Sequence, residues 1–114
     1  ERVFKTLVVS LDEGKLAVGL VPVSCQHSLK QIAKAAGAKK ATMADKTLVQ
    51  RATGYVLGGV SPLGQKKRLP TYIDVTARDF ATIFISAGRR GLDIELAPGD
   101  LGALLGGEFV ELRA

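Results

Sequence analysis

The chain has 114 residues, of which 46% are hydrophobic and 24% charged, and a formal net charge of +5. This length suits one domain, here residues 1–114, and the composition excludes a disordered or fibrous chain. One cysteine and one histidine exclude a multi-cysteine or histidine-rich metal site, so we expect no metal and no cofactor. Without a long apolar run or a signal-peptide pattern, we expect a cytoplasmic protein.

The first half of the sequence predicts a hairpin followed by alternating helices and a strand. Apolar and β-branched residues flank an Asp-Glu-Gly turn, which is typical of two paired strands. Ser28 is a suitable helix cap, Gly37 a suitable helix end, and Asp45 a suitable N-terminal residue. The predicted elements are strands over 3–10 and 16–21, a helix over 28–36, a strand over 39–43 and a helix over 44–52.

The second half begins with a glycine-rich loop over 54–64 and then predicts mainly strands. The predicted elements are strands over 72–75, 81–86 and 92–96, a short helix within 97–105 that has Pro98 near its start, and a strand over 109–112. Because the strands follow one another without regular helical crossovers, a doubly wound parallel sheet is disfavoured. We expect a mixed α/β domain of the α+β type, with a curled or closed, barrel-like sheet flanked by short helices.

Positive charge is concentrated in one part of the chain. Residues 26–68 carry nine basic residues against Asp45 alone, a net +8, whereas residues 69–114 carry a net −3. Such a basic segment is typical of a polyanionic partner, RNA or DNA before an anionic membrane, although a solvated lysine-rich face gives the same pattern. The candidate RNA-binding residues are Lys30, Lys34, Lys66, Lys67 and Arg68.

The loop over 54–64 contains four glycines and Pro62. The spacing of Gly59 and Gly64 matches a phosphate-binding loop, but Gln65 stands where that loop needs lysine, and Pro62 removes a backbone N–H. We therefore exclude nucleotide hydrolysis. The loop instead predicts a rigid turn whose N–H groups converge on a carbonyl oxygen, with Ser61 within reach, or an ordinary structural turn.

Few side chains are suited to acid-base catalysis. Lys5 lies in an apolar strand, on one face with Leu7 and Val9, where it either lines a pocket or extends to solvent. Asp93 is either a pocket acid or the partner of an arginine. We interpret Cys25 and His27 as structural residues. A chain with so little catalytic equipment is suited to an already activated bond, such as an ester carried by RNA.

A series of short segments occurs in one order along the whole chain. These are KTL (5–7), GAKK (37–40), MAD (43–45), QRATGY (50–55), GGVSPLGQKKR (58–68), FIS (84–86), GRRGLDIE (88–95) and PGDL (98–101). In these segments the chain resembles the bacterial YbaK-type Cys-tRNA(Pro) deacylases, which are related to the editing domain of bacterial prolyl-tRNA synthetases. The resemblance implies a β-barrel flanked by helices and a trans-editing enzyme that removes cysteine from proline tRNA, with prolyl-tRNA synthetase as an expected partner.

The resemblance also implies a site. Its catalytic positions are Lys5, Gly58, Gly59, Ser61 and Pro62, and its substrate-binding positions are Thr6, Ser86, Gly88 and Asp93. Family members begin with a further N-terminal segment that has no counterpart in this sequence. The implied mechanism is attack by the substrate's own thiol on its ester. Two alternatives are a deacylase for another small amino acid, alanine or serine, and a non-catalytic tRNA-binding module.

Overall fold

The computed structural model describes residues 2–24, 28–55, 60–65, 68–89 and 91–114. Within these ranges it contains three helices, seven strands and two 3-10 turns. The strands are β1 Phe4–Leu11, β2 Leu16–Pro22, β3 Ala41–Met43, β4 Thr71–Asp74, β5 Ile83–Arg89, β6 Leu92–Leu96 and β7 Glu108–Val110. The helices are α1 Leu29–Ala36, α2 Lys46–Thr53 and α3 Pro98–Leu105. Every predicted helix and strand is confirmed, with shifted ends, and the 3-10 turn over 75–79 was not predicted.

The predicted caps determine where α1 and α2 begin and end. The Ser28 hydroxyl accepts the Gln31 N–H at 3.2 Å, and the Asp45 carboxylate accepts two N–H groups at the start of α2, at 2.8 and 3.1 Å. These bonds satisfy donors that the first turn leaves unpaired. Gly37 and Gly54 end the two helices with φ of +71° and +84°, values that glycine adopts without strain.

The strands form two ladders. A five-stranded sheet has the order β3-β1-β2-β4-β7, in which β1 is antiparallel to β2 and β3, and β4 is parallel to β2 and β7. Strands β5 and β6 form a separate antiparallel pair, joined to the start of β1 by a parallel bridge between Val3 and Phe84. The mixed α/β class is confirmed. Closure of the sheet into a barrel is not confirmed, because the described strands remain two separate ladders.

Alternation along β1 places α1 and α2 on opposite faces of the sheet. Leu7 and Val9 pack with Ile32 of α1, whereas Val8 packs with Val49 of α2 and with Val60. A third cluster, which includes Phe4, lies on the Val8 face of β1 because strand side chains alternate. Its buried members are Phe4, Leu20, Ile73, Ala77, Ile83, Ile85 and Leu101. Ile83, Ile85 and Leu101 therefore pack on the α2 side, whereas Tyr72 and Leu112 pack on the α1 side. None of the helices in the described ranges is long and apolar enough to cross a membrane.

Candidate functional site

Residues 60–65, at the end of the glycine-rich loop, form a turn whose own residues hydrogen-bond to one another. Ser61 is 1% exposed, and its hydroxyl oxygen accepts the Leu63 N–H at 3.2 Å. The Gln65 side-chain amide donates to the Ser61 carbonyl at 2.9 Å, and Pro62 is buried. These contacts agree with the predicted turn. Gly58 and Gly59, like Cys25 and His27, lie outside the described residues.

Tyr55 connects this turn to α2 and to β5. Its N–H donates to the buried Thr53 hydroxyl at 3.1 Å, and its own hydroxyl donates to the Leu63 carbonyl. The Tyr55 ring also lies against Gly88, where an added Cβ would be 2.6 Å from Tyr55 Cε1. Sequence analysis did not single out Tyr55. Its signal was its position directly after the glycine that ends a helix, within the QRATGY segment.

The end of β5 brings three predicted substrate-binding residues together. Ser86 pairs across the ladder with Asp93, and the register shifts between Ser86 and Arg89. Within this irregularity Gly88 adopts φ of +96°, and its N–H donates to the Ser86 hydroxyl oxygen at 3.3 Å. Ser86 and Gly88 are half-buried and Asp93 is exposed, so this corner of the site is open to solvent on the β6 side.

Lys5 lies near the same end of the strands, but alternation along β1 places its side chain on the face of Leu7 and Val9, opposite to Thr6 and the 60–65 turn. The parallel bridge joins Val3 to Phe84, and the two strands advance in the same direction from it. Lys5 and Ser86, each two residues beyond the bridge, therefore lie at the same level of neighbouring strands. Lys5 is half-buried, as expected for an aliphatic stem packed against the sheet with its ammonium group directed to a more polar environment.

Thr6 carries the one buried side-chain polar atom that has no hydrogen-bond partner among the described residues. Its Oγ1 is inaccessible to solvent, although the residue as a whole is half-buried. Because strand residues alternate, Thr6 shares a face of β1 with Phe4 and Val8, and this is the face on which Leu63 and Val60 pack. Buried hydroxyls normally form hydrogen bonds, so the Thr6 hydroxyl is a candidate to bind a polar atom of a ligand beside the 60–65 turn.

The predicted RNA-binding residues are divided between two faces. Lys30 and Lys34 are exposed on α1, on the face of the sheet opposite to the 60–65 turn. Lys66 and Lys67 lie outside the described residues. Arg68 is exposed on the same side as α2 and lines two clefts, one of which reaches Pro62. The structure thus places only Arg68, among the described members of this set, near the candidate catalytic turn.

Comparison with known proteins gives one consistent picture. The model of the family "Aminoacyl-tRNA editing domain" matches residues 1–104. A protein of Enterococcus faecalis named "Putative Cys-tRNA(Pro)/Cys-tRNA(Cys) deacylase EbsC" is 41% identical over 111 residues, which cover 97% of this chain and 68% of that protein.

Two solved structures share the fold. A scaffold from a study of epitope backbone grafting by computational design superposes with a TM-score of 0.92 at 26% identity, covering 99% of this chain and 72% of the other. A crystal structure described as "a putative trans-editing enzyme for prolyl tRNA synthetase" superposes with a TM-score of 0.90, over 99% of this chain and 71% of that one. At 24% identity the second likeness concerns the fold alone.

Proposed function

Because the chain belongs to the family of aminoacyl-tRNA editing domains, we propose that it hydrolyses the ester of a mischarged tRNA, with cysteine on proline tRNA as substrate. The observation that carries this proposal is the 41% identity, over 97% of the chain, to a protein named for that activity. The proposal treats residues 1–114 as one editing domain.

The arrangement of the described residues supports an ester-cleaving pocket. The 60–65 turn, the start of β1 and the end of β5 approach one another, and Tyr55 links the turn to β5. Thr6 Oγ1 is buried and has no hydrogen-bond partner in the described part of the chain, so a polar atom of the substrate would satisfy it. The roles of the single residues in this proposal come from the family resemblance: Thr6, Ser86, Gly88 and Asp93 bind the aminoacyl group, and Lys5 polarises it.

The substrate supplies its own nucleophile in this proposal. The cysteine sulfur attacks the ester carbonyl carbon, the bond from that carbon to the ribose oxygen breaks, and the released ribose oxygen takes the thiol proton and becomes the free hydroxyl. The product is a cyclic thioester, which water opens to free cysteine. Backbone N–H groups of residues 58–61 would stabilise the oxyanion, and positioning of the thiol near the carbonyl replaces a protein nucleophile. Pro62 has no N–H and would shape the turn.

The decisive experiment compares proline tRNA charged with cysteine, serine, alanine or proline and measures release of uncharged tRNA. Cysteine should be released fastest, and serine much more slowly, because a hydroxyl is far less ionised than a thiol at neutral pH. Equal rates for cysteine and serine would indicate that activated water, and not the substrate thiol, is the nucleophile. Preference for alanine would favour the alternative substrate, and tRNA binding without any release would favour a non-catalytic module.

The proposed function also suggests a partner, the synthetase that produces the mischarged tRNA. A domain that edits proline tRNA acts after prolyl-tRNA synthetase has released or exposed the mischarged end, so we propose that synthetase as a partner and the cytoplasm as the compartment. Co-purification of the two proteins, with and without tRNA, tests this association.

A further inference from the structure

We propose that the single-stranded 3′ end of the RNA runs along two adjoining clefts on the α2 side of the sheet, with its phosphates bound by Lys15, Arg51 and Arg68. The inference rests on the proposed function, since it concerns how an RNA substrate reaches the 60–65 turn. Lys15 and Arg51 were not among the RNA-binding residues predicted from the sequence.

The larger cleft combines an apolar floor with a basic rim. It measures about 580 Å³ and lies between the hairpin turn after β1, helix α2 and residues 68–70. Three cations, Lys15, Arg51 and Arg68, line it against one acid, Glu13. The apolar lining residues are Leu16, Leu48, Ala52, Leu69 and Pro70. Unpaired nucleotides need this combination, because each presents an apolar base and a charged phosphate.

The smaller cleft joins this surface to the candidate catalytic turn. It measures about 190 Å³ and is lined by Pro62, Gly64 and Gln65 on one side and by Leu104 and Leu105 of α3 on the other. Arg68 and Leu69 line both clefts, so the two are contiguous. A strand whose terminal ester lies at the turn would therefore pass Arg68 first and then reach Arg51 and Lys15.

The three cations are available to phosphates. All three are exposed, and none forms an ion pair with another of the described residues. Arginine suits phosphate because its planar donors bind two oxygens at once. The apolar floor favours an unpaired strand over a duplex, because the bases of a duplex are stacked and hidden from it. The α1 lysines lie on the opposite face of the sheet and cannot line this path.

The test measures binding to two RNA hairpins by fluorescence anisotropy. Neither hairpin carries an amino acid, and both have the same stem, but one is blunt and the other has an unpaired 3′ overhang. The double variant Arg51→Ala/Arg68→Ala should lose roughly ten-fold or more in affinity for the overhang hairpin, because each substitution removes charged hydrogen bonds. Its affinity for the blunt hairpin should change little. The slope of log affinity against log salt should become shallower by about 1.4, or 0.7 for each lost contact to a single strand.

Two further variants serve as controls. Lys30→Ala/Lys34→Ala removes the same number of charges from the opposite face, and it should weaken overhang binding less than the cleft variant does. Arg51→Lys/Arg68→Lys keeps the charges but loses the paired donors, so its affinity should lie between that of the wild type and that of the alanine variant. Thermal melting should be unchanged in all three, because the substituted side chains are exposed.

The inference is overturned if the cleft variant binds the overhang hairpin as the wild type does, or if the α1 variant loses more. Because these RNAs carry no aminoacyl ester, the binding result does not depend on hydrolysis. If the protein binds the overhang through Arg51 and Arg68 but releases no amino acid from charged tRNA, the proposed function is rejected and the proposed RNA path is retained. If the protein deacylates tRNA but the cleft variant binds the overhang hairpin normally, the proposed function is retained and the proposed RNA path is rejected.

Discussion

The ring of Tyr55 occupies the space in which any side chain on Gly88 would lie, since a Cβ at Gly88 would be 2.6 Å from Tyr55 Cε1. The Tyr55 hydroxyl simultaneously holds the Leu63 carbonyl. The two parts of the candidate site that the sequence indicated separately, the turn before Gln65 and the end of β5, are thus coupled by a residue that belongs to neither.

Gly88→Ala should therefore destabilise the protein and reduce deacylation. The left-handed backbone costs an alanine about 1–2 kcal/mol, and displacement of Tyr55 adds to it. Gly91→Ala is the matched control, because Gly91 also has a positive φ, of +84°, but an added Cβ there meets no atom of the described residues within 4 Å. Urea unfolding and single-turnover deacylation of both variants test this. Equal losses in the two variants would show that contact with Tyr55 is unimportant.

Thr6→Val should separate stability from activity. The substitution removes a buried hydroxyl that has no partner among the described residues, so the free energy of unfolding should stay the same or rise by about 1 kcal/mol. Deacylation should fall if that hydroxyl binds the aminoacyl group. Thr53→Val is the control, because the Thr53 hydroxyl donates to the Val49 carbonyl at 2.7 Å and accepts the Tyr55 N–H. That variant should be destabilised. Loss of stability in Thr6→Val would contradict the assignment.

Lys5→Ala should lower kcat/KM for cysteine-charged proline tRNA by roughly 10²-fold, a usual loss when one group that stabilises the transition state is removed. Cys25→Ser and His27→Ala should stay within a few-fold of the wild type, since neither was interpreted as catalytic. Single-turnover rates on the same tRNA preparation measure all three. A wild-type rate for Lys5→Ala would show that Lys5 has no role in catalysis.

Asp74→Ala should be among the most destabilising single substitutions. The carboxylate is fully buried, and it accepts the Leu112 N–H at 2.8 Å and the Thr76 N–H at 3.2 Å. Removing it leaves a buried donor unpaired, at about 1–3 kcal/mol. Arg113→Ala should lose less than about 1 kcal/mol, because Arg113 approaches Asp74 only at 3.6 Å and is partly exposed. Chemical denaturation of both variants gives the comparison, and a larger loss for Arg113→Ala would contradict it.

Stability should fall at alkaline pH partly because of Tyr72. Burial, and secondarily the negative charge of Glu108, raise the pKa of the Tyr72 phenol above its ordinary value of 10.0. The unfolded chain then loses this proton at lower pH than the folded protein, so the free energy of unfolding decreases as pH rises above about 10. Tyr72→Phe should reduce that decrease. Denaturant titrations on either side of that pH measure it, and identical slopes in Tyr72→Phe and wild type would contradict it.

The helices and strands were predictable because their signals are local. Ser28, Gly37 and Asp45 act on atoms within a few residues of themselves, so the residue types alone indicate the ends of α1 and α2. The expected barrel lacked such a signal. Whether strands close into one sheet depends on pairings between distant segments, and the structure pairs β5 with β6 apart from the five-stranded sheet.

The candidate site was predictable only as a set of residues, by resemblance of ordered segments. The resemblance named Lys5, Ser86 and Asp93, and the register of β1, β5 and β6 brings them to one end of the strands. It could not show that the hydroxyl of Ser61 is buried and used within its own turn. It also did not reveal Tyr55, whose contact with Gly88 joins positions 33 residues apart.

The sequence by itself determined the elements, the excess of positive charge and the family, because caps, periodicity and motif order are properties of neighbouring residues. Only the tertiary structure decided which charges share a surface. Lys30 and Arg51 belong to one basic segment of the chain, yet α1 and α2 pack on opposite faces of the sheet because successive side chains of β1 point in opposite directions. That alternation separates the α1 lysines from the clefts that reach the 60–65 turn.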